Sequence, residues 1–299
     1  MNNSNQNSDI NKESESGTTI RAKVIGKQIE CLDKGFVRLV DFMGDDAAVV
    51  QSARVSYGDG TKTVNEDRGL IRYLLRHKHT TPFEMVEFKF HIKLPIFIAR
   101  QWIRHRTANV NEYSGRYSEM KDEFYLPDIS QIRHQSTLNK QGRSDEVLPE
   151  DTSREIINKM EFVQNDLYSE YKNLLDEGVA REIARINLPL SNYTEWYWKI
   201  DLHNLLHFLR LRLDSHAQYE IRVYAEAMAE IIKEVVPISW EAFEDYHLKS
   251  MYFSKMELRG LKKIIAGEKV EEINFESIGL KKREWDEFVI KMQNLLGDV

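Results

Sequence analysis

The segment from Glu84 to Leu94 constrains the fold more than any other, because apolar and polar side chains alternate through its core, EFKFHIKL. This alternation predicts a β-strand with one buried face and one face toward solvent. Pro95 follows at once, and it both ends the strand and suits the first turn of a helix. The sequence therefore predicts a strand that leads directly into a helix.

Long amphipathic helices are predicted in the second half of the chain. Thr152 and Glu155 have the spacing of a capping box, and apolar residues at helical intervals continue from Ile156 to Leu174. Gly178 is a natural end for this helix. The other predicted elements are strands at Arg21–Leu32 and Phe36–Asp41, helices at Ala47–Ser56, Asn65–Arg76, Ile221–Val235 and Trp285–Leu296, and a polar loop at Ser130–Asp151.

Composition excludes several classes of protein. The 299 residues carry a net charge of -6, so the surface as a whole repels phosphates and no nucleic-acid partner is expected. No apolar stretch approaches the ~20 residues that span a bilayer, so no membrane partner is expected either. Residues 1–20 lack the apolar region of a signal peptide and are expected to be a disordered polar tail on a cytoplasmic protein. Cys31 is the single cysteine, so an intrachain disulfide is excluded.

A basic segment stands out within this acidic chain. Residues 100–116 contain four Arg and one acid, Glu112, and therefore carry a net charge of +3. The chain has no glycine-rich phosphate loop, so an anionic ligand must be held mainly by arginine, whose planar fork matches phosphate oxygens. A helix that continues from Pro95 would place four polar residues on one arc: Arg100, Gln101, Arg104 and His105. The alternative is a solvated basic face that pairs with acids elsewhere.

The segment DLHNLLHFLRLR, residues 201–212, supplies a second group of candidate residues. Helical spacing places three polar residues (His203, His207 and Arg210) opposite three apolar ones (Leu205, Phe208 and Leu209). Arg212 falls among the apolar residues, where a guanidinium is costly unless it is paired or binds a ligand. Both an ion pair with Asp214 or another acid and a ligand-binding role remain open.

A zinc site is the weaker interpretation of the histidines in this segment. His203 and His207 have the i, i+4 spacing of a helical zinc site, and His216 could complete it. The glutamate of an HExxH motif is missing, because Asn204 follows His203. An ordinary histidine pair is therefore favoured, and no metal is expected.

The most specific motif is RHRTANVNEYSGRY, which begins at Arg104 and has seven residues between Arg-His-Arg and Ser114. This RHR-x7-S pattern resembles the signature of the flavin-dependent thymidylate synthases. The resemblance covers roughly residues 30–247 through LDKGFVRLVDFMGDD, HTTPFE, FHIKLPIFIARQW, GVAREIARINLPL and LRLDSHAQYEI. We therefore expect a synthase domain at 21–247 and a helical C-terminal extension of unknown role at 248–299.

The resemblance implies a fold, an assembly and a reaction. The expected fold is α/β with a central mixed sheet flanked by long helices, the thymidylate synthase-complementing protein fold, in a homotetramer whose active sites draw on several subunits. The expected reaction is the methylation of dUMP to dTMP by a methyltransferase. The carbon donor is 5,10-methylenetetrahydrofolate, and FAD reduced by NADPH carries the hydride.

The resemblance also implies roles for individual residues. Positions that contact FAD are matched by Thr81, Arg104, His105, Arg106, Glu112, Asp201, His203 and His207. Positions that hold dUMP are matched by Gln101, Arg104, Ser114, Gly115, Arg116, Arg185 and Arg212. His79 matches a histidine on the flavin and folate side of the pocket.

The chemistry of the reaction suggests which of these residues act in catalysis and which bind the substrate. Arg212 is expected to be the catalytic residue, because a cation beside the uracil ring stabilises the negative charge that develops during attack on the folate-borne carbon. Ser114, Arg116 and Arg185 are expected to position the phosphate. A covalent cysteine route is not expected, because Cys31 is far from the motif in sequence. The rival hypotheses are a zinc hydrolase that uses the histidines of residues 203–216 and an RNA-binding module that uses residues 100–116.

Overall fold

An antiparallel sheet lies at the centre of the larger of two units into which the chain divides, residues 1–243 and 244–299. The computed structural model describes residues 19–55, 64–137 and 141–296. Its strands are β1 (Gln28–Cys31), β2 (Gly35–Met43), β3 (Glu87–Pro95), β4 (Asn109–Glu112), β5 (Arg133–Gln135), β6 (Arg143–Val147) and β7 (Tyr193–Asp201). Five of them form one sheet in the order β1-β2-β3-β7-β4, and β5 pairs with β6.

Helices flank this sheet. In the first unit they are α1 (residues 19–24), α2 (Asp46–Arg54), α3 (Val64–Arg76), α4 (Thr81–Glu84), α5 (Ile96–Trp102), α6 (Glu150–Asp176), α7 (Arg181–Ala184), α8 (Leu202–Arg212), α9 (Tyr219–Val235) and α10 (Pro237–Phe243). The α/β class is therefore confirmed. Within the described residues, no helix combines the length and the apolar character needed to cross a bilayer.

The expectation of a mixed sheet is wrong, because every neighbouring pair of strands is antiparallel. β3 and β4 do run in the same direction and are joined through α5. However, β7 inserts between them and pairs antiparallel with both. Strand β7 was not predicted, although Trp196, Trp198 and Ile200 alternate along it as buried residues.

The alternation predicted around β3 is confirmed. Phe88, Phe90, Ile92 and Leu94 are fully buried, whereas the residues between them are partly exposed. Helices α5, α8 and α9 contact the sheet strands. The predicted apolar stripe of residues 221–235 on α9 is buried as expected. Pro95 is the last residue of β3 and the cap of α5, so the predicted strand-to-helix junction is also confirmed.

Close packing between the sheet and α9 explains why residue 35 is a glycine. A side-chain Cβ at Gly35 would lie 2.1 Å from the Tyr224 hydroxyl oxygen. That hydroxyl donates to the Lys93 carbonyl oxygen at 2.9 Å. Gly35 therefore allows α9 to reach the sheet where β2 meets β3.

Several predicted boundaries are wrong for local reasons. Residues 19–24 are helical, so they belong neither to the tail nor to the predicted strand at 21–32; the tail at 1–18 lies outside the described residues. Gly26, at a φ of +79°, separates α1 from β1. The predicted strand at 84–94 begins only at Glu87, because α4 extends to Glu84. The predicted polar loop at 130–151 contains the β5–β6 pair.

The predicted capping box of α6 is also wrong. The helix begins at Glu150 after Pro149, two residues before Thr152, and has no side-chain cap. Pro149 fixes its own φ and its carbonyl oxygen accepts from the Ser153 amide at 2.9 Å, so the first turn forms without Thr152. The predicted end is confirmed, because α6 stops at Asp176 and Gly178 has a φ of +86°.

The second unit has its own hydrophobic core. Its helices are α11 (Lys255–Ile265), α12 (Phe275–Ile278) and α13 (Lys282–Leu296). Trp285, Phe288 and Met292 project from α13 into this core, as the apolar spacing predicts. Ser254 and Glu257 form a capping box at α11.

Candidate active site

Arg212 and the Arg-His-Arg segment meet in space although they are about 100 residues apart in sequence. The Arg212 Nε and Nη2 atoms lie 3.2 and 3.0 Å from His105 Nε2 and donate to it. The alternative ion pair between Arg212 and Asp214 does not form; Asp214 accepts from the His216 backbone amide and contacts its ring.

The predicted polar arc on α5 is only partly correct. The helix ends at Trp102, so Arg104, His105 and Arg106 lie in the following turn. After this turn the chain enters the edge strand β4 at Asn109. The His105 amide still donates to the Trp102 carbonyl oxygen at 2.9 Å, which fixes the turn to the end of the helix.

Buried aromatic rings hold this contact in place. Trp102 stacks on Phe208 of α8 with ring centroids 4.6 Å apart, and the His105 ring packs edge-on against Phe208 at 4.9 Å. His207 lies 6.3 Å from His105 between ring centroids. The predicted division of α8 into a buried apolar face and a polar face is therefore confirmed.

Burial changes the proton affinity of both partners. It lowers the pKa of the Arg212 guanidinium, which nevertheless remains charged. Burial lowers the pKa of His105 to about 4, and the nearby charges of Arg212 and His207 act in the same direction. His105 is therefore neutral near pH 7.

A cavity of about 210 Å³ opens beside this contact. It is lined by Ile103, His105, Arg106, Ala108, Val110, Trp196 and Trp198. Most of its wall is apolar or aromatic, and His105 and Arg106 contribute the polar groups. Among the described residues, the buried Trp196 Nε1 and Gln101 Oε1 atoms have no hydrogen-bond partner. Such atoms are stabilised when a ligand or water supplies the missing bond.

A second cluster lies at the other end of β4. An added Cβ at Gly115 would meet Arg185 Cδ at 3.2 Å and Arg185 Nη1 at 3.3 Å. The Arg116 amide donates to Ser114 Oγ at 3.3 Å. The Arg116 side chain forms an ion pair with Glu182, with Nε and Oε2 3.3 Å apart. The structure thus brings together Ser114, Gly115, Arg116 and Arg185.

The remaining predicted site residues have more local contacts. Asp201 caps α8 by accepting from the Asn204 amide at 2.9 Å. Glu112 accepts from the Thr194 hydroxyl at 2.8 Å. Thr81 begins α4, which packs against α8, the helix that carries His203. His79 lies 5.9 Å from Tyr73 between ring centroids.

The alternative of a solvated, paired basic face applies to only part of residues 100–116. In the part of the chain that the structure describes, Arg116 pairs with Glu182, whereas Arg100, Arg104 and Arg106 are exposed and form no ion pair. Their guanidinium groups are available to an anionic ligand. Elsewhere in the described ranges, no three His, Cys, Asp or Glu side chains come together as a metal site would require.

Sequence reasoning missed three residues of this region. Trp196 and Trp198 form the cavity wall, and their alternation within YTEWYWKID could have revealed them. Glu182 carries no such signal, because an acid on a short polar helix is usually solvated.

Comparison with known proteins shows which family this chain resembles. The model of the family described as thymidylate synthase complementing protein matches residues 38–238. A flavin-dependent thymidylate synthase of Rickettsia bellii is 56% identical over 277 residues, which is 89% of this chain and 93% of that protein. One from Treponema denticola is 57% identical over 268 residues, covering 90% of this chain and 98% of that protein.

A solved structure is similar in fold as well. The UMP/dUMP methylase PolB of Streptomyces cacaoi, bound with 5-Br dUMP, is 36% identical with a TM-score of 0.66, and covers 73% of this chain and 98% of its own. The extent and identity of these matches agree with the RHR-x7-S motif. The chain therefore belongs to the flavin-dependent thymidylate synthase family.

Proposed function

We propose that this chain catalyses the reductive methylation of dUMP to dTMP, with 5,10-methylenetetrahydrofolate as carbon donor and NADPH as reductant, in dTMP biosynthesis. One observation carries the proposal: two arginines distant in sequence, Arg185 and Arg212, both lie against the segment of residues 104–116 that holds the family motif. In the same segment Arg104 and Arg106 are exposed and, among the described residues, form no ion pair.

Ser114, Gly115, Arg116 and Arg185 are the proposed phosphate site of dUMP. The absence of a side chain at Gly115 lets Arg185 approach the backbone, so a phosphate could contact two guanidinium groups and the Ser114 hydroxyl. Gln101 and Arg104 are proposed to complete the dUMP site. The buried Gln101 Oε1 is an acceptor without a hydrogen-bond partner among the described residues.

Arg212 is the proposed catalytic residue. Its charge is partly desolvated, and a cation in such a place stabilises a developing negative charge more strongly than one in water. The guanidinium has five N–H donors, and the two that bond His105 leave others for the uracil ring. Cys31 is buried, and burial raises the pKa of its thiol to about 12, so it is no candidate nucleophile.

The residues proposed for FAD fit that group. The cavity beside His105 has apolar and aromatic walls and Arg106 as a cation among its lining residues, which suits an aromatic ring with attached phosphates. The proposed FAD residues are Thr81, Arg104, His105, Arg106, Glu112, Asp201, His203 and His207. When bound, FAD supplies hydride transfer, and the protein binds and orients it. His79 is proposed to face the folate.

A homotetramer with shared active sites is the proposed assembly. Large apolar side chains are exposed on α6 and on the segment after it, with Phe162 73% and Ile186 69% exposed. Exposed apolar surface of this kind is typical of protein interfaces. Residues 21–247 are the proposed synthase domain, residues 248–299 an extension, and the cytoplasm the proposed compartment. Sedimentation of the purified chain tests the tetramer.

The visible spectrum of the purified protein tests the proposed function. We expect flavin absorbance that NADPH bleaches, and dTMP formation when dUMP and methylenetetrahydrofolate are added. A colourless protein that does not take up FAD, or one that yields no dTMP, would contradict the proposal.

A double variant locates the flavin site. Arg104→Ala with Arg106→Ala should lose the flavin on purification, because two exposed cations without protein partners are proposed to bind its phosphates. Arg154→Ala, an exposed arginine paired within α6, is the matched control and should retain the flavin. Unchanged flavin absorbance in the double variant would show that the two arginines merely face solvent.

A further inference from the structure

The contact between His105 and Arg212 has an unusual donor and acceptor pair. Arginine in a half-buried site is commonly held by a carboxylate, but here both Nε and Nη2 donate to one imidazole nitrogen, His105 Nε2. A ring nitrogen that accepts a hydrogen bond carries no proton, so the proton of this neutral ring is on Nδ1. The lowered pKa of His105 agrees with a neutral ring.

The imidazole is held by the core. Its ring packs edge-on against Phe208, its backbone amide bonds to Trp102, and Trp102 itself is fully buried. Phe208 also belongs to α8, the helix that ends in Arg212. The acceptor and the guanidinium are therefore fixed to one packed unit, which limits their relative movement.

A neutral acceptor has a consequence that a carboxylate would not have. A carboxylate orients a guanidinium but cancels its charge, whereas an imidazole orients it and leaves the charge intact. Among the described residues, no carboxylate pairs with Arg212. The guanidinium thus keeps a fixed direction and a full positive charge.

We propose that His105 is a positioning residue for Arg212, which holds the guanidinium toward the uracil ring through a neutral acceptor. The proposal rests on the proposed function and deepens it, because it gives His105 a role beyond contact with FAD. It predicts that kcat for dTMP formation depends both on a hydrogen-bond acceptor at residue 105 and on the absence of charge on that acceptor.

Three substitutions of His105 separate these features. His105→Phe keeps a ring against Phe208 but removes the acceptor, His105→Gln restores a neutral acceptor, and His105→Glu supplies a charged one. His134→Phe, on the exposed strand β5, is the matched control. For each variant, kcat and KM for dUMP, flavin absorbance and the thermal unfolding midpoint are measured in the presence of excess FAD.

We expect His105→Phe to lower kcat about 100-fold, as misplacement of a reacting group does, with little change in the unfolding midpoint. His105→Gln should recover most of this rate, and His105→Glu should not. Normal kcat in His105→Phe, or equal rates in the Gln and Glu variants, would overturn the proposal. If the Phe variant fails to fold, the Gln and Glu variants decide. Wild-type dTMP formation tests the proposed function separately.

Discussion

Arg212 and Arg116 are held in opposite ways, although both are proposed to bind the same nucleotide. Arg212 is half-buried and donates to a neutral imidazole, whereas Arg116 is exposed and pairs with the carboxylate of Glu182. Water weakens the second contact, because both side chains are more than half exposed, so Glu182 can be exchanged for a phosphate at little cost. The comparison suggests that one cation is fixed for chemistry and the other is adaptable for binding.

The largest effect is expected at the fixed cation. Arg212→Ala should lower kcat for dTMP formation about 100- to 1,000-fold while FAD remains bound, because a preorganised charge beside the reacting ring is lost. Rates are measured with purified holoenzyme, and Arg154→Ala is the control. Turnover near the wild-type rate would show that Arg212 does not stabilise the reacting ring.

A smaller effect is expected at the adaptable cation. Arg116→Ala should raise KM for dUMP about 10- to 100-fold, the range for a hydrogen bond to a charged group, and leave kcat nearly unchanged. The reason is that a phosphate contact distant from the reacting carbon is the same before and during the reaction. A kcat loss as large as that of Arg212→Ala would remove the distinction between the two cations.

The carboxylate partner should matter least for binding. Glu182→Gln removes an exposed ion pair, and such pairs contribute about 0–1 kcal/mol, so KM for dUMP should fall by less than about fivefold. KM should fall because the Glu182 carboxylate competes with the dUMP phosphate for Arg116. A marked rise in KM would mean that Glu182 orients Arg116 for the substrate.

The pH dependence of protein stability tests the environment of His105, the partner of Arg212. The pKa of His105 falls from 6.5 to about 4 on folding, so the unfolded chain binds a proton more readily. The contribution of this group to stability is complete above pH 6.5 and is lost as the pH falls toward 4. The unfolding midpoint of the wild type should therefore drop more steeply than that of His105→Gln across this range. Parallel curves would show that His105 titrates normally.

Local patterns predicted part of this fold. The alternation around β3 and the apolar stripe of α9 were predicted because the core faces of these elements repeat with periods of two and 3.6 residues. The antiparallel order could not be predicted in this way, because the insertion of β7 between β3 and β4 depends on pairing across about 100 residues. The start of α6 was misplaced because Pro149 competes with the Thr152 cap.

The site shows the same division. The motif predicted which residues belong to the site, but it did not predict the partner of Arg212. Sequence spacing favoured the nearby Asp214 over His105, which is about 100 residues away. Glu182 was missed for a similar reason, since an isolated exposed acid has no pattern.

The aromatic packing behind His105 also gives the protein an internal optical probe. Of its five tryptophans, Trp196 and Trp198 line the cavity. The ring centroid of a third, Trp102, lies 5.8 Å from that of Trp196 and 5.3 Å from that of Trp198. A bound chromophore that absorbs in the near ultraviolet would quench most of their emission. Fluorescence of the unlabelled chain should therefore follow occupancy of this cavity in real time.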